Sequence, residues 1–263
     1  MRWAVWTSEG VVGATVLGVA LYVAVSYLLT ASYVPKRSLA DLLAALVRET
    51  VLALFITPLF PLFLIALGRR QGSGKQPIVL VHGYTQNRVN FIYLAWALRK
   101  RGLGPIYGFN YFSFANIRRS GERLARFLDR VRQESGAASV DLVCHSMGGL
   151  VARQCVRLDP ARVRRCVTIA SPHSGVHWWA GPILGPGGRQ LIAGARFLQE
   201  LEAVPLAVPT LSIYSRHDNV ACPGESISSL QRWGGDDLAV DHLGHLSILF
   251  DARVAEAVAG FLS

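Results

Sequence analysis

The stretch VDLVCHSMGGL occupies residues 140–150. Its first four positions are mostly apolar, which is typical of a short strand buried inside a parallel sheet. Gly148 and Gly149 permit a tight turn with close packing, and residues 150–158 then read as a helix. Ser146 is therefore expected at a sharp bend between a strand and a helix.

A serine at such a bend indicates a nucleophile elbow. In this motif a strained turn exposes the serine hydroxyl above the sheet, and the next backbone N–H points toward a developing oxyanion. The usual pattern is G-x-S-x-G, and Cys144 stands here in place of the first glycine. The alternative is a glycine-rich turn that merely contains a serine, so the rest of the chain must decide.

The sequence after residue 74 alternates short apolar runs with helical stretches. Strands are predicted at residues 78–81, 106–112, 140–144, 163–170, 210–214 and 238–240, and helices at 90–101, 118–133, 189–201 and 252–262. This alternation predicts an α/β domain in which a mostly parallel sheet carries helices on both faces. Residues 71–76 are polar and contain two glycines, and we expect them to be a flexible linker.

Two long segments near the N-terminus contain no charged residue, at positions 10–34 and 50–67. With a rise of about 1.5 Å per residue, the first can cross a hydrocarbon core of about 30 Å and the second only just. Pro58 and Pro61 would kink a helix, so a re-entrant or interfacial segment is the alternative for the second. We expect residues 1–74 to form a membrane anchor, built as a transmembrane helical hairpin followed by the linker.

Charge and cysteine usage narrow the class of protein further. The net charge of +10 would suit anionic lipid or nucleic acid, but no helix-turn-helix, zinc-finger or RNA-binding signature accompanies it, so nucleic acid is not expected. The four cysteines lack C-x-x-C spacing and are predicted to be buried free thiols. The seven histidines show no ligand spacing, so no metal site is expected.

A serine hydroxyl needs a base, and the base needs an orienting carboxylate. Asp218 comes just after the predicted strand 210–214, where parallel sheets gather functional groups, and His245 comes between the last strand and the last helix. Other candidates remain open at this point: His242 for the base, a loop role or a catalytic one for His217, and Asp236, Asp237 or Asp241 for the acid.

The order serine, aspartate, histidine completes a resemblance to a known superfamily. The chain resembles the α/β hydrolases, and specifically small bacterial triacylglycerol lipases and esterases, over residues 77–263. The matching motifs are HGY at 82–84, HSMGG at 145–149, the run SIYS at 212–215 that leads to Asp218, and Gly244-His245. The resemblance implies a minimal α/β-hydrolase fold for a catalytic domain at residues 75–263.

Carried over position by position, the resemblance assigns roles to site residues. It implies Ser146 as nucleophile, His245 as general base and then acid, and Asp218 as the group that orients the imidazole. The backbone N–H groups of Tyr84 and Met147 would form the oxyanion hole, with His82 and Gly83 supporting that loop. Separately, Trp178 and Trp179 lie in a segment rich in Trp, Gly and Pro, which we expect to shape the acyl pocket.

The sequence therefore predicts a membrane-anchored serine esterase or lipase, without a cofactor, that acts on an acyl lipid or another ester. Acyl transfer or thioester cleavage by the same triad is the enzymatic alternative, and an inactive membrane-bound interaction protein is the alternative from another class. We expect a multi-pass protein of the bacterial inner membrane, and the distribution of Lys and Arg favours a cytoplasmic catalytic domain. The oligomeric state does not follow from the sequence.

Overall fold

The computed structural model describes residues 8–64, 71–176 and 185–263. The helices of these ranges are α1 (Ser8–Thr30), α2 (Leu39–Ile56), α3 (Ile92–Lys100), α4 (Ile117–Ser135), α5 (Met147–Leu158), α6 (Gly185–Gln190), α7 (Arg196–Glu202), α8 (Gly224–Ser228) and α9 (Ala252–Leu262). The strands are β1 (Gln71–Gln76), β2 (Ile78–Val81), β3 (Gly104–Phe109), β4 (Val140–His145), β5 (Val163–Ile169), β6 (Thr210–Ser215) and β7 (Asp236–Val240).

The strands form one sheet in the order β1-β3-β2-β4-β5-β6-β7. β1 pairs with β3 in the antiparallel direction, and the other neighbours are parallel. All residues of β2, β3, β4 and β6 are buried, as expected for parallel strands covered on both faces. The predicted α/β class with a mostly parallel sheet is confirmed.

Two hydrophobic clusters lie on opposite faces of this sheet. One joins alternate strand residues to α4 and α5, including Leu124, Leu128 and Val151. The other joins the remaining strand residues to α3 and α9, including Leu98 and Val258. Burial of these apolar faces stabilises the fold by removing about 25 cal/mol of unfavourable hydration per Å². The four cysteines are buried and free, as predicted.

The prediction of a flexible linker at residues 71–76 was wrong, because these residues form strand β1. Gln71 pairs with Ile106 and Gln76 pairs with Gly104 of β3. The Gln76 side chain also donates a 2.9 Å hydrogen bond to the carbonyl of Ser139. Backbone pairing at a sheet edge needs no apolar side chains, so the side-chain pattern did not reveal this strand.

The single helix predicted at residues 189–201 is two short helices, α6 and α7. Gly194 lies between them with a φ of 79°, a left-handed conformation that a continuous α-helix cannot contain. The apolar segment predicted at 50–67 is likewise divided. α2 ends at Ile56, and a 3₁₀ helix that contains Pro61 follows over Thr57–Leu64.

The two N-terminal helices pack against each other and against the α/β domain. Val23 and Tyr27 of α1 form a small cluster with Ala45 of α2. The segment Gly13–Thr30 is, among the residues that the structure describes, the one helix long and apolar enough to cross a membrane, and 22% of it is buried. The predicted transmembrane hairpin thus has one candidate spanning helix in these ranges, and α2 does not qualify as a second.

Candidate active site

Ser146 lies at the junction of β4 and α5, where the sequence predicts the bend. Its φ of 54° and ψ of −129° are unusual for a residue with a side chain, and such strain persists only where packing enforces it. Gly148 makes the close crossing possible, because a Cβ there would lie 2.3 Å from the carbonyl oxygen of Val81. The turn therefore holds the Ser146 side chain above the C-terminal edge of the sheet.

Three side chains meet at this edge in a continuous chain of hydrogen bonds. The Ser146 Oγ atom lies 3.0 Å from Nε2 of His245, and Nδ1 of His245 lies 2.9 Å from Oδ2 of Asp218. Asp218 follows β6, and His245 lies between β7 and α9. Only 1% of Asp218 and 7% of Ser146 is exposed, so these hydrogen bonds are shielded from bulk water.

The carboxylate of Asp218 is fixed by its own loop. Its Oδ1 atom accepts backbone N–H groups from Val220 at 2.7 Å and Ala221 at 2.8 Å. These two bonds orient the carboxylate toward the imidazole. A carboxylate held in this way fixes the ring of His245 with Nδ1 protonated, which leaves Nε2 free to accept the proton of Ser146.

The pKa of His245 is raised above its usual value of 6.5. Burial alone would lower it, but the negative charge of Asp218, the hydrogen bond to Asp218 and the charge of Glu49 together outweigh burial. The imidazolium is therefore stabilised at this position. A positioned histidine whose protonated form is stabilised in this way suits the role of general base.

The other histidines and aspartates that the sequence offers as base or acid contact other residues. The rings of His217 and His242 stack with their centroids 4.9 Å apart, and Nδ1 of His217 lies 3.5 Å from Asp241. Asp237 accepts the backbone N–H of Leu230 at 2.8 Å. Within the described ranges, Asp218 is the acid whose side chain hydrogen-bonds the ring of His245.

Two backbone segments flank the hydroxyl of Ser146 where an oxyanion would form. Met147 is the first residue of α5, so its N–H has no acceptor within the helix. Gly83 approaches Ser146 closely, because a Cβ on Gly83 would lie 2.7 Å from the Ser146 Cβ. Tyr84, the next residue, lines a cavity that Ser146 also lines. The helix N-terminus adds a partial positive charge at this point.

His82 supports the loop that carries Gly83. Its Nε2 atom accepts the N–H of Tyr111 at 3.2 Å, and its Nδ1 lies 2.9 Å from the carbonyl of Gly83, so the hydrogen-bond network places the proton on Nδ1. The Tyr111 ring stacks on the imidazole at 4.4 Å. Burial lowers the pKa of His82 to about 4, and the ring stays neutral.

Sequence reasoning missed Gln86, which connects the two sides of the site. Its Oε1 atom accepts the N–H of Gly83 at 3.0 Å and lies 2.8 Å from Nδ1 of His145. The other ring nitrogen of His145 lies 2.9 Å from the carbonyl oxygen of His245. Glu49 and Asn219 were missed as well. Glu49 directly follows Arg48 and directly precedes the uncharged segment 50–67, so its own pattern gave no signal, whereas direct adjacency to Asp218 was the signal for Asn219.

A cavity of about 180 Å³ opens above Ser146. Its walls come from the α/β domain and, unexpectedly, from the N-terminal helices. The side chains that α1, α2 and the following 3₁₀ helix contribute are mostly apolar: Tyr22, Val23, Glu49, Ala53, Ile56, Thr57 and Phe60. Trp178 and Trp179, predicted to shape the acyl pocket, lie outside the described residues.

The described part of the chain holds no group of three or more His, Cys, Asp or Glu side chains arranged to bind a metal ion. The groups that meet at the site are the hydroxyl of Ser146, the imidazole of His245 and the carboxylate of Asp218, beside backbone N–H donors.

Comparison with known proteins confirms the resemblance inferred from the sequence motifs. Residues 76–184 match the family model of the alpha/beta hydrolase fold. A mature lipase of Bacillus licheniformis has the same fold, with a TM-score of 0.61 and 19% sequence identity over 73% of this chain and 94% of the lipase chain. The described domain has the alpha/beta hydrolase fold.

Two curated relatives are triacylglycerol lipases. Those of Pseudarthrobacter phenanthrenivorans and Burkholderia plantarii are each 32% identical to this chain over 111 residues, which is 38% of this chain. The matched region spans 34% of the first lipase and 30% of the second. The chain thus spans about a third of the length of the curated relatives that it matches.

Proposed function

We propose that this protein is a serine hydrolase that cleaves carboxylic esters of acyl lipids through an acyl-enzyme on Ser146. The observation that carries the proposal is the hydrogen-bond chain from Ser146 through His245 to Asp218 beneath a mostly apolar cavity. The similarity to triacylglycerol lipases supports an ester substrate with an acyl chain.

In the proposed reaction, Nε2 of His245 takes the proton of Ser146 while Oγ attacks the carbonyl carbon of the ester. The oxyanion that forms is held by the N–H groups of Met147 and Tyr84. His245 then donates its proton to the leaving alcohol, and the acyl group remains on Ser146. A water molecule attacks this acyl-enzyme with His245 again as base, and Asp218 stabilises the imidazolium in both halves.

We also propose that the N-terminal helices attach the protein to a membrane and place the site next to its substrate. α1 exposes Leu17, Leu21 and Leu28, each at least 60% accessible. α2 exposes an apolar residue at every fourth position along one face: Leu39, Leu43, Val47, Val51 and Phe55. Exposed apolar surface of this extent favours burial in lipid.

In this proposal the first half of α1 enters the bilayer and α2 lies at the interface. The opposite face of α2 is buried: Ala45 packs on α1, and Glu49 accepts hydrogen bonds from the loop that carries His245, so α2 does not cross separately. The basic residues Lys36 and Arg37 follow α1, where they meet anionic headgroups. Protease accessibility in sealed vesicles tests the predicted cytoplasmic side.

The test of the hydrolase proposal compares lipid esters, aryl esters and thioesters as substrates of the full chain. We expect ester turnover by wild type and a loss of at least about 10³-fold in Ser146→Ala. Ser135→Ala is the matched control, because Ser135 ends α4 at the opposite edge of the sheet. Equal turnover by Ser146→Ala and wild type would remove the proposal.

The same experiment separates the rival activities. Added alcohols would be consumed in preference to water by an acyltransferase, and thioesters would be cleaved faster than esters by a thioesterase. An inactive interaction protein would show no turnover above that of Ser146→Ala with any of the substrates.

A further inference from the structure

Glu49 of α2 contacts the loop that carries His245. Its Oε1 atom accepts the backbone N–H of Ser247 at 2.8 Å, and its Oε2 accepts that of Leu246 at 3.0 Å. These are the two residues that directly follow His245. Glu49 is only 3% exposed, although it belongs to a helix whose outer face is apolar.

A glycine in the His245 loop makes this contact possible. A Cβ at Gly244 would lie 2.5 Å from the Glu49 carboxyl carbon and 2.6 Å from the hydroxyl of Tyr27. A larger residue at position 244 would displace the Glu49 carboxylate and the Tyr27 hydroxyl from their places beside the loop. The His245 loop and the Glu49 carboxylate therefore pack closely against each other.

A second contact ties α1 to the same loops. The Nδ2 atom of Asn219 donates a 2.7 Å hydrogen bond to Oγ of Ser26, and Oδ1 of Asn219 accepts the N–H of His245 at 2.9 Å. Asn219 is adjacent to Asp218 in sequence. One side chain thus links the acid loop, the base loop and α1.

A buried carboxylate is unfavourable unless hydrogen bonds or opposite charges compensate for its lost hydration. Here the compensation comes from two backbone N–H groups of the loop that carries the base. The hydrogen bonds from the N–H groups of Leu246 and Ser247 to the Glu49 carboxylate fix the backbone next to His245. His245 therefore has little freedom to move. A displacement of about 1 Å in a catalytic group is enough to reduce a rate about 100-fold.

We propose that Glu49 is a positioning residue for the reaction, through which α2 holds His245 at hydrogen-bond distance from Ser146. The N-terminal helices are in this view part of the catalytic apparatus as well as a membrane attachment. The inference rests on the proposed function. It goes beyond that function because the hydrolase mechanism itself needs no acid from this region.

The charge of Glu49 gives the proposal a signature beyond structural support. Glu49 is one of the groups that raise the pKa of His245. Removal of its charge therefore lowers the pKa of His245, and the protonated base persists only at lower pH. The acid limb of the pH–rate profile then moves to lower pH.

The test uses the full chain with Glu49→Gln, which keeps the shape of the side chain. The amide oxygen can accept one N–H, but the NH₂ group then faces the other N–H donor. We expect kcat per active site to fall about 10- to 100-fold with little change in KM, and the acid limb to shift to lower pH. Hydrogen exchange at Leu246 and Ser247 is expected to become faster.

Two further variants complete the test. Asp41→Asn makes the same chemical change on the same helix, but Asp41 is exposed and hydrogen-bonds Ser38, so all three measurements are expected to stay at wild-type values. Glu49→Asp keeps the charge and is expected to restore the acid limb even where the shorter side chain lowers kcat. Active-site titration with a fluorophosphonate probe corrects each rate for any misfolded fraction.

The inference alone fails if wild type hydrolyses esters and folded Glu49→Gln matches it in kcat, acid limb and hydrogen exchange. It also fails if Glu49→Gln lowers thermal stability only, with an unchanged rate per titrated site. If Glu49→Gln does not fold, Glu49→Asp decides. Because this variant keeps the charge, an acid limb of its pH–rate profile that differs from that of wild type overturns the inference. Absence of ester turnover and of probe labelling in wild type would remove the proposed function, and this inference with it.

Discussion

The Nε2 atom of His245 lies 3.0 Å from the Oγ atom of Ser146, although 99 positions separate the two residues in the chain. The approach follows from the topology, because β4 and β7 run parallel in one sheet and their C-terminal ends lie at the same edge. Asp218, after β6, reaches the site for the same reason. The fold thus assembles three distant loops at one edge.

The first prediction concerns the acid. Asp218→Asn keeps the size of the side chain but removes the charge that orients and stabilises the imidazole. We expect kcat toward an aryl ester to fall about 10⁴-fold, the size of effect that such a replacement has in a serine protease triad. Steady-state kinetics with thermal unfolding as a folding check measure it.

Asp241→Asn is the matched control for that prediction. Asp241 contacts Arg216 and lies near His217, away from the Ser146 hydroxyl. We expect its kcat to stay within about threefold of wild type, as surface ion pairs contribute little. A large loss in Asp241→Asn together with a small one in Asp218→Asn would reassign the acid.

The second prediction concerns pH. The pKa of His245 is raised above 6.5, chiefly because the charge and hydrogen bond of Asp218 outweigh burial. The base must be neutral to take the proton of Ser146, so kcat/KM is expected to fall as pH decreases through a value above 6.5. A profile flat down to pH 5.5 would contradict this assignment, and His242→Ala should leave the limb unchanged.

The third prediction compares two glycines. A Cβ on Gly83 would lie 2.7 Å from the Ser146 Cβ and 2.8 Å from Oε1 of Gln86, so Gly83→Ala displaces the oxyanion loop. We expect a loss of about 10² to 10³ in kcat, the effect of losing one oxyanion donor. Activity assays on the folded variant measure it.

Gly260→Ala is the contrasting variant. Gly260 lies inside α9, and a Cβ there meets no atom within 4 Å. Alanine should therefore stabilise the fold by about 0.5 to 1 kcal/mol without changing activity. Urea unfolding measures this difference. Equal kinetic effects of the two replacements would show that the Gly83 contact has no special role.

The fourth prediction concerns the membrane. Val47 and Val51 lie on the exposed face of α2 and are 63% and 57% accessible. Charges at these positions oppose burial in lipid, so the double variant Val47→Glu, Val51→Glu is expected to bind anionic vesicles at least about tenfold more weakly. Vesicle sedimentation measures binding.

The double variant should keep its kcat on a soluble aryl ester, because neither side chain lines the cavity. Leu158→Glu is its control, since Leu158 is an exposed apolar residue at the far end of α5. Unchanged vesicle binding by the double variant, or an equal decrease in Leu158→Glu, would contradict a docking surface on α2.

Much of the fold follows from local patterns. The buried run around Val143 and the apolar stripes of the helices report their environment directly, since burial selects residue type. Strand β1 does not, because its edge position depends on backbone pairing with β3. The pattern of residues 189–201 gave one helix where the structure has two, since the left-handed Gly194 lies in the connection between them.

Some residues of the candidate site could likewise be predicted from local sequence patterns, and others could not. Ser146, Asp218 and His245 each follow a predicted strand in an informative motif, so the sequence alone could name them. The contacts of Glu49 and Asn219 depend on where α1 and α2 pack on the domain. No periodicity in the sequence encodes that docking, and Glu49 stands beside Arg48 just before the uncharged segment 50–67 without a motif of its own.

The most direct measurement of the central proposal is the mass of the covalent adduct that an active-site probe leaves on the full chain. After reaction with a fluorophosphonate, we predict a single adduct on the peptide that contains Ser146, and none in Ser146→Ala, while Ser135→Ala is labelled like wild type. An adduct on another residue, or equal labelling of Ser146→Ala, would contradict the account.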